Sequence, residues 1–304
     1  MLRHLSFLQG LMLALLLMSL GARAAEDLPA FSMGFYLPVI RDVPRKDVEI
    51  SMRFWIEELV KDVKLTSKPV QMYERLADMR RDLDSGKINF VVATAMGLAQ
   101  SFRAEDLADG FSGYKAKPDD LMLLVRRDAG IHTPADLTGK RLSLLEGDEL
   151  TNVYLPILLM QAGQRGDLSQ LGSVTREATT PKQVHSLFFG NADAALVYRN
   201  TYEISLALNP QIGQRLEVLD RFTFKTRSPY ISLFSSRVSP QHREQMTASS
   251  LSLSDSPRVR QMFQIYHSDV MERTRVQDLK PYYELLQTYN TLNAAAKPVK
   301  KAVR

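Results

Sequence analysis

The sequence contains no cysteine among its 304 residues. Disulfides, thiolate metal sites, a cysteine nucleophile and a lipid on an N-terminal cysteine are therefore excluded together. Tryptophan occurs once, at Trp55, in a stretch that reads as helix packing. The five histidines, at positions 4, 132, 185, 242 and 267, are scattered, and there is no H-E-x-x-H, G-x-S-x-G or P-loop pattern. The usual signatures of zinc hydrolysis, serine hydrolysis and nucleotide hydrolysis are thus missing. No enzyme activity, metal or cofactor is expected. The acid pairs Glu57-Glu58 and Asp119-Asp120 read as solvated faces. A one-sided charge is also lacking where it would matter. The formal charge is +5, but residues 1–24 hold +2 (Arg3, Arg23) and residues 293–304 hold +4 (Lys297, Lys300, Lys301, Arg304), which leaves residues 25–292 at −1. Such a body gives no support to a nucleic-acid partner. With 45% hydrophobic and 24% charged residues, a long disordered or collagen-like chain is excluded.

Long hydrophobic runs are absent after the first 24 residues. Met1–Ala24 has a short basic start, an apolar stretch over Leu5–Leu20, and the small residues Ala22 and Ala24 around Arg23. This is the pattern of a secretory leader cut after Ala24. The alternative, an uncleaved anchor, has a run short of the roughly 20 residues a spanning helix needs. Residues 293–304 are small, basic and proline-containing, and are expected to be disordered.

Between these ends the pattern alternates. Phe31–Val39 reads as a strand, Val48–Val63 as a helix, Lys68–Met72 as a strand, Tyr73–Ser85 as a helix stopped by Gly86, and Ile88–Ala95 as a buried strand. The rhythm returns after the buried run within Lys117–Arg127. Arg141–Leu145 is a strand and Leu150–Ala162 a helix stopped by Gly163; Val174–Ala178 is a strand, Lys182–Phe189 a helix stopped by Gly190, and Ala192–Tyr198 a strand. Arg215–Leu219 and Tyr230–Phe234 are further strands, and after Ser236 the pattern is helical to the end. The fold class is α/β.

Four stretches carry a resemblance. They are Leu83-Asp84-Ser85-Gly86-Lys87-Ile88-Asn89-Phe90, Asp136-Leu137-Thr138-Gly139-Lys140-Arg141-Leu142-Ser143, Tyr154-Leu155-Pro156 and Leu187-Phe188-Phe189-Gly190-Asn191-Ala192-Asp193-Ala194. In order and spacing they resemble the phosphate/phosphite/phosphonate-binding family of ABC-transporter substrate-binding proteins, over about residues 30–290. The resemblance implies a type 2 periplasmic-binding-protein fold with two lobes, each a mostly parallel sheet flanked by helices. Two crossover strands would lie near 118–126 and 220–232. Lobe one would be 26–120 plus 230–290, and lobe two 125–222. It further implies a periplasmic protein that closes on a small molecule like a Venus flytrap and delivers it to an ABC permease. The alternative partner is the periplasmic domain of a membrane sensor, a kinase or a cyclic-nucleotide enzyme. A monomer is expected.

In relatives that bind phosphonates, the loop after the first lobe-two strand is rich in Ser and Thr, and hydroxyls and helix amides there hold the anion. The matching stretch here is Glu146–Asn152, and the resemblance implies that Thr151 and Asn152 keep part of that role. Asp148 and Glu149 would themselves occupy the positive helix end and repel a phosphonate. Two readings remain: the acids meet an amine or hydroxyl-rich ligand, or they only cap the helix. The family's histidine before a lobe-two helix is replaced at about Pro181, with His185 one turn on. Thr94-Ala95-Met96 forms a strand-to-helix turn that is either a ligand contact or, at Thr94, an N-cap. Tyr36 and Tyr198 end predicted strands and either line the cleft or belong to core or surface. Arg199 either grips a carboxylate or phosphate in bidentate fashion or is a surface residue.

Overall fold

The structure is a computed structural model that describes residues 30–40, 43–63, 66–115, 119–223, 230–253, 256–257, 259–260, 263, 266 and 268–296. The leader expected at residues 1–24 lies outside them. In chain order, β1 (Met33–Tyr36) leads through a single 3-10 turn to α1 (Arg45–Val63), β2 (Gln71–Tyr73), α2 (Leu76–Asp84), β3 (Phe90–Thr94) and α3 (Ala95–Ser101). Then come β4 (Leu107–Ala108), β5 (Gly110–Tyr114), β6 (Asp120–Arg126), β7 (Arg141–Leu145), α4 (Glu149–Gln161), β8 (Ser173–Glu177), α5 (Thr180–Phe188) and β9 (Ala194–Tyr198). The chain continues with α6 (Arg199–Leu208), α7 (Gln211–Arg215), β10 (Leu216–Thr223), β11 (Tyr230–Ser235), α8 (Pro240–Leu253), β12 (Val270–Thr274) and α9 (Lys280–Ala296).

Two five-stranded sheets carry the molecule, in the orders β2-β1-β3-β11-β4 and β10-β6-β9-β7-β8. In each, the βαβ units pair in parallel: β1 with β2 and β3, and β7 with β8 and β9. The strand that arrives from the other half pairs antiparallel, β11 on β3 and β6 on β9. The edge strands β4 and β10 also run antiparallel to these arrivals. Each sheet is therefore mixed, whereas a mostly parallel one was expected. A helical crossover returns a strand in the same direction, but a strand crossing once between sheets enters from the opposite end.

Alternation along the strands sorts side chains to two faces. Phe90 and Val92 pack with Phe31, Phe35, Phe111 and Trp55 on one face of the first sheet, and Val91 and Ala93 pack on the other. In the second sheet, Leu121, Leu123 and Val125 face one way and Met122 and Leu124 the other. One hydrophobic cluster is shared by both sheets and includes Met79, Leu98, Leu123, Leu144, Tyr154 and Tyr282. Helix α9 packs on α4 of the second half and on α3 of the first.

Helix stops fall at the expected glycines. Gly86 after α2 and Gly190 after α5 have φ of 77° and 76°, the left-handed conformation in which a Cβ is costly. Three strands depart from the expected pattern. β4 and β5 lie where no strand was expected, and β12 pairs antiparallel with β5 inside the stretch expected to be helical. The tail expected to be disordered from residue 293 begins as helix, since α9 runs through Ala296. No helix among the described residues is long and apolar enough to cross a membrane.

Candidate functional site

The strands of both halves end at one cavity of about 670 Å³. Thr94 at the end of β3, Leu145 at the end of β7, Ala178 just after β8 and Tyr198 at the end of β9 all line it. These are carboxyl ends of strands, where α/β proteins place ligands. The antiparallel register sets Tyr230 of β11 opposite Thr94, and both line the cavity. Tyr282 of α9 completes this wall.

On the first half, Thr94 is the N-cap of α3 and its hydroxyl accepts the Gly97 amide at 3.2 Å. Gly97 is required by close approach. A Cβ there would stand 2.5 Å from Thr94 Oγ1 and 2.6 Å from Leu76 Cδ1. Met96 lines the cavity and is buried; Ala95 is buried and does not line it.

On the second half, Asp148 is the buried N-cap of α4. It accepts the Leu150 amide at 3.3 Å, the Thr151 hydroxyl at 2.6 Å, and the Tyr198 hydroxyl at 3.1 and 3.0 Å on its two oxygens. Burial first, and then the charge of Asp148, push the Tyr198 phenol well above its ordinary range, so it remains a donor. Glu149 reaches the other way. Its carboxylate accepts the Tyr36 hydroxyl at 2.7 Å and the Thr94 hydroxyl at 3.3 Å.

Thr94 and Asp148 each cap a helix and also line the cavity. Thr151 is fully buried and turned to Asp148. Asn152 is exposed and does not line the cavity. Arg199 pairs with Asp120 at 3.6 Å and with Glu203 at 3.9 Å, also off the cavity wall.

The pair Asp119-Asp120, read as a solvated face, is buried. Asp119 accepts the Asn200 amide at the start of α6 at 3.1 Å and pairs with Lys115 at 3.6 Å. Asp120 also meets Arg221 at 3.4 Å. Lys115, Asp119, Tyr230 and Tyr282 line the cavity without having been singled out from the sequence. Lys115 lies only four residues from Asp119, whereas Arg199 and Arg221 come to Asp120 from distant stretches that no local pattern announces. From the second half, Thr179, Thr180, Pro181 and His185 line the start of α5, and Phe188, Phe189, Ile204 and Leu208 extend the wall as an apolar groove. Among the described residues no group of three or more His, Cys, Asp or Glu is arranged to hold a metal ion.

The family model for the periplasmic substrate-binding protein of a phosphonate ABC transporter matches residues 56–279. No curated protein matches the sequence. Among solved structures, a Xanthomonas citri protein bound to ATP is similar at a TM-score of 0.67 and 11% identity, over 88% of this chain and 99% of that one. PhnD1 from Prochlorococcus marinus in complex with methylphosphonate is similar at 0.63 and 12%, over 86% and 98%. A binding-protein component of an ABC phosphonate transporter from Pseudomonas aeruginosa is similar at 0.61 and 10%, over 91% of each chain. At these identities the likeness concerns the fold: two sheets flanked by helices.

Proposed function

Because the chain belongs to the family of periplasmic substrate-binding proteins of phosphonate ABC transporters, we propose that it is an exported solute-binding protein that takes one small ligand between two lobes and hands it to an ABC permease. Lobe one would be residues 26–120 plus 230–290 and lobe two 125–222. The observation that carries this reading is the convergence of β3, β7, β8 and β9 on one cavity of about 670 Å³, a volume in the range of small-molecule sites. The cavity wall suits a ligand with a polar head and an apolar body. Hydroxyls and Lys115 stand at the strand ends, and Phe188, Phe189, Ile204 and Leu208 continue the wall outward. Such a ligand is larger than the methylphosphonate held by PhnD1. The ATP held by the Xanthomonas protein marks the size that a protein of similar fold accommodates.

A thermal-shift panel of methylphosphonate, phosphate, ATP, amino acids and polyamines tests this. A ligand that binds only the folded state at a hundred times its Kd adds about 2.7 kcal/mol. One class should raise Tm, and Lys115→Ala or Phe189→Ala should shrink that rise. No rise with any class, or a rise that both variants leave unchanged, overturns the assignment of the cavity. A sensor role, docking on a membrane signalling protein, is the second reading. The hydrogen bonds from Tyr36 and Thr94 to Glu149 favour it, because they join the halves through the chain's own side chains. Genes for a permease and ATPase beside this one would favour transport; a lone signalling gene would favour the sensor.

A further inference from the structure

Two adjacent acids at the start of α4 do different work. Asp148 turns into its own half, where Leu150, Thr151 and Tyr198 donate to it. Glu149 crosses to the other half and receives two hydroxyls there. Tyr36, at the end of β1, donates to Oε1 at 2.7 Å, and Thr94, at the end of β3, donates to Oε2 at 3.3 Å. The Thr94 oxygen also accepts the Gly97 amide, so its proton is directed to Glu149 while a lone pair serves the helix. Gly97 makes room for the Thr94 hydroxyl itself, since a Cβ there would stand 2.5 Å from Thr94 Oγ1 but at an ordinary 3.6 Å from Glu149 Oε1.

Two hydroxyl donors on one half that converge on the two oxygens of one carboxylate constitute an anion site. Here the anion belongs to the chain. We propose that Glu149 fills, from within the protein, the place an anionic ligand group would take, and is thereby the residue that selects against phosphonate and phosphate heads. An incoming anion would have to displace the carboxylate from Tyr36 and Thr94 while remaining close to its charge, a juxtaposition of like charges. The same two hydrogen bonds tie the halves together through the chain's own groups. This proposal rests on the reading of the cleft as the ligand site, whose wall includes Thr94 but neither Tyr36 nor Glu149, and it names the head group that the site refuses.

The test uses the whole protein with Glu149→Ala and Glu149→Gln, titrated with methylphosphonate, inorganic phosphate and acetate by calorimetry and thermal shift. Removing the carboxylate should strengthen methylphosphonate or phosphate binding at least about tenfold over the wild type. Acetate, which replaces the lost group, should raise the Tm of Glu149→Ala and leave the wild type unmoved. Glu149→Gln, which keeps the shape without the charge, should show a smaller gain. It carries the test alone if the alanine variant does not fold. Equal anion affinity in wild type and variants, or an acetate shift of the same size in both, overturns the proposal. Failure here is separable from failure of the binding-protein reading. A wild type that takes methylphosphonate tightly, with no gain in either variant, overturns the role of Glu149 and leaves that reading standing. A wild type that answers no ligand in the panel overturns the binding-protein reading, while anion gain in the variants still reports on Glu149.

Discussion

The two sheets repeat one plan. Counted from the same edge, the first runs β2-β1-β3-β11-β4 and the second β8-β7-β9-β6-β10. In both, the second strand, first strand and third strand of a βαβαβ unit are followed by the strand that crosses from the other half. The helix starts at the cavity nevertheless differ in chemistry. The first half caps α3 with a hydroxyl, that of Thr94. The second half caps α4 with the carboxylate of Asp148, and Asp119 accepts an amide at the start of α6. The fold requires that exposed helix amides be satisfied, and it leaves open whether a neutral or a charged oxygen does so. In this protein it sets a hydroxyl-lined wall against an acidic one.

The largest test of that asymmetry is Asp148→Ala. It removes the acceptor of a helix amide and of two buried hydroxyls, and should cost about 2–4 kcal/mol in denaturant unfolding. Thr94→Ala removes one cap and one donor to Glu149, and should cost about 1–2 kcal/mol. Equal costs at the two positions would mean that the acidic cap is no more embedded than the neutral one, and the contrast would fail. The smallest effect concerns the interiors. In the second half, buried Gln183 donates to the carbonyls of Ser143 and Leu196 at 3.2 and 2.9 Å. In the first half, buried His242 on α8 has no hydrogen-bond partner on either ring nitrogen among the described residues, and burial lowers its pKa below the ordinary 6.5. The unfolded chain therefore takes up a proton near pH 6.5, whereas the folded one takes it up only at lower pH. Stability should be full above that value and fall as the pH drops below it. Melting at pH 7.5 and 5.5 should show this loss in the wild type, and His242→Gln should reduce it; an unchanged loss would place its origin elsewhere.

Much of the fold was legible because its signals are local. The buried runs at residues 88–95 and 192–198 became β3 and β9, and Gly86 and Gly190 stop helices at positive φ. β4, β5 and β12 were not legible. β4 has two residues, β5 contains Gly110 and Gly113, and β12 carries Glu272 and Arg273, so none shows a clear alternating pattern. Of the residues expected at the cleft, Thr94, Met96, Asp148 and Tyr198 line the cavity, and each lies at a strand end or helix start that the sequence marks. Asn152 was carried over with Thr151, yet one residue along a helix turns the side chain about 100°. Asp119 and Asp120 looked solvated because adjacent charges usually are. Their burial depends on Lys115, Arg199, Arg221 and the Asn200 amide, brought to them by three separate segments.

The amino-acid sequence by itself determined the α/β alternation, the helix stops and the presence of two adjacent acids at the start of a helix, since periodicity, glycine conformation and residue type are properties of short stretches. Tertiary structure alone decided what those acids do. Asp148 and Glu149 are neighbours of the same charge, and only the folded chain sends one to Tyr198 in its own half and the other to Tyr36, 113 residues away. A hydrogen bond acts over about 3 Å, and no local pattern encodes which distant oxygen will arrive within that reach.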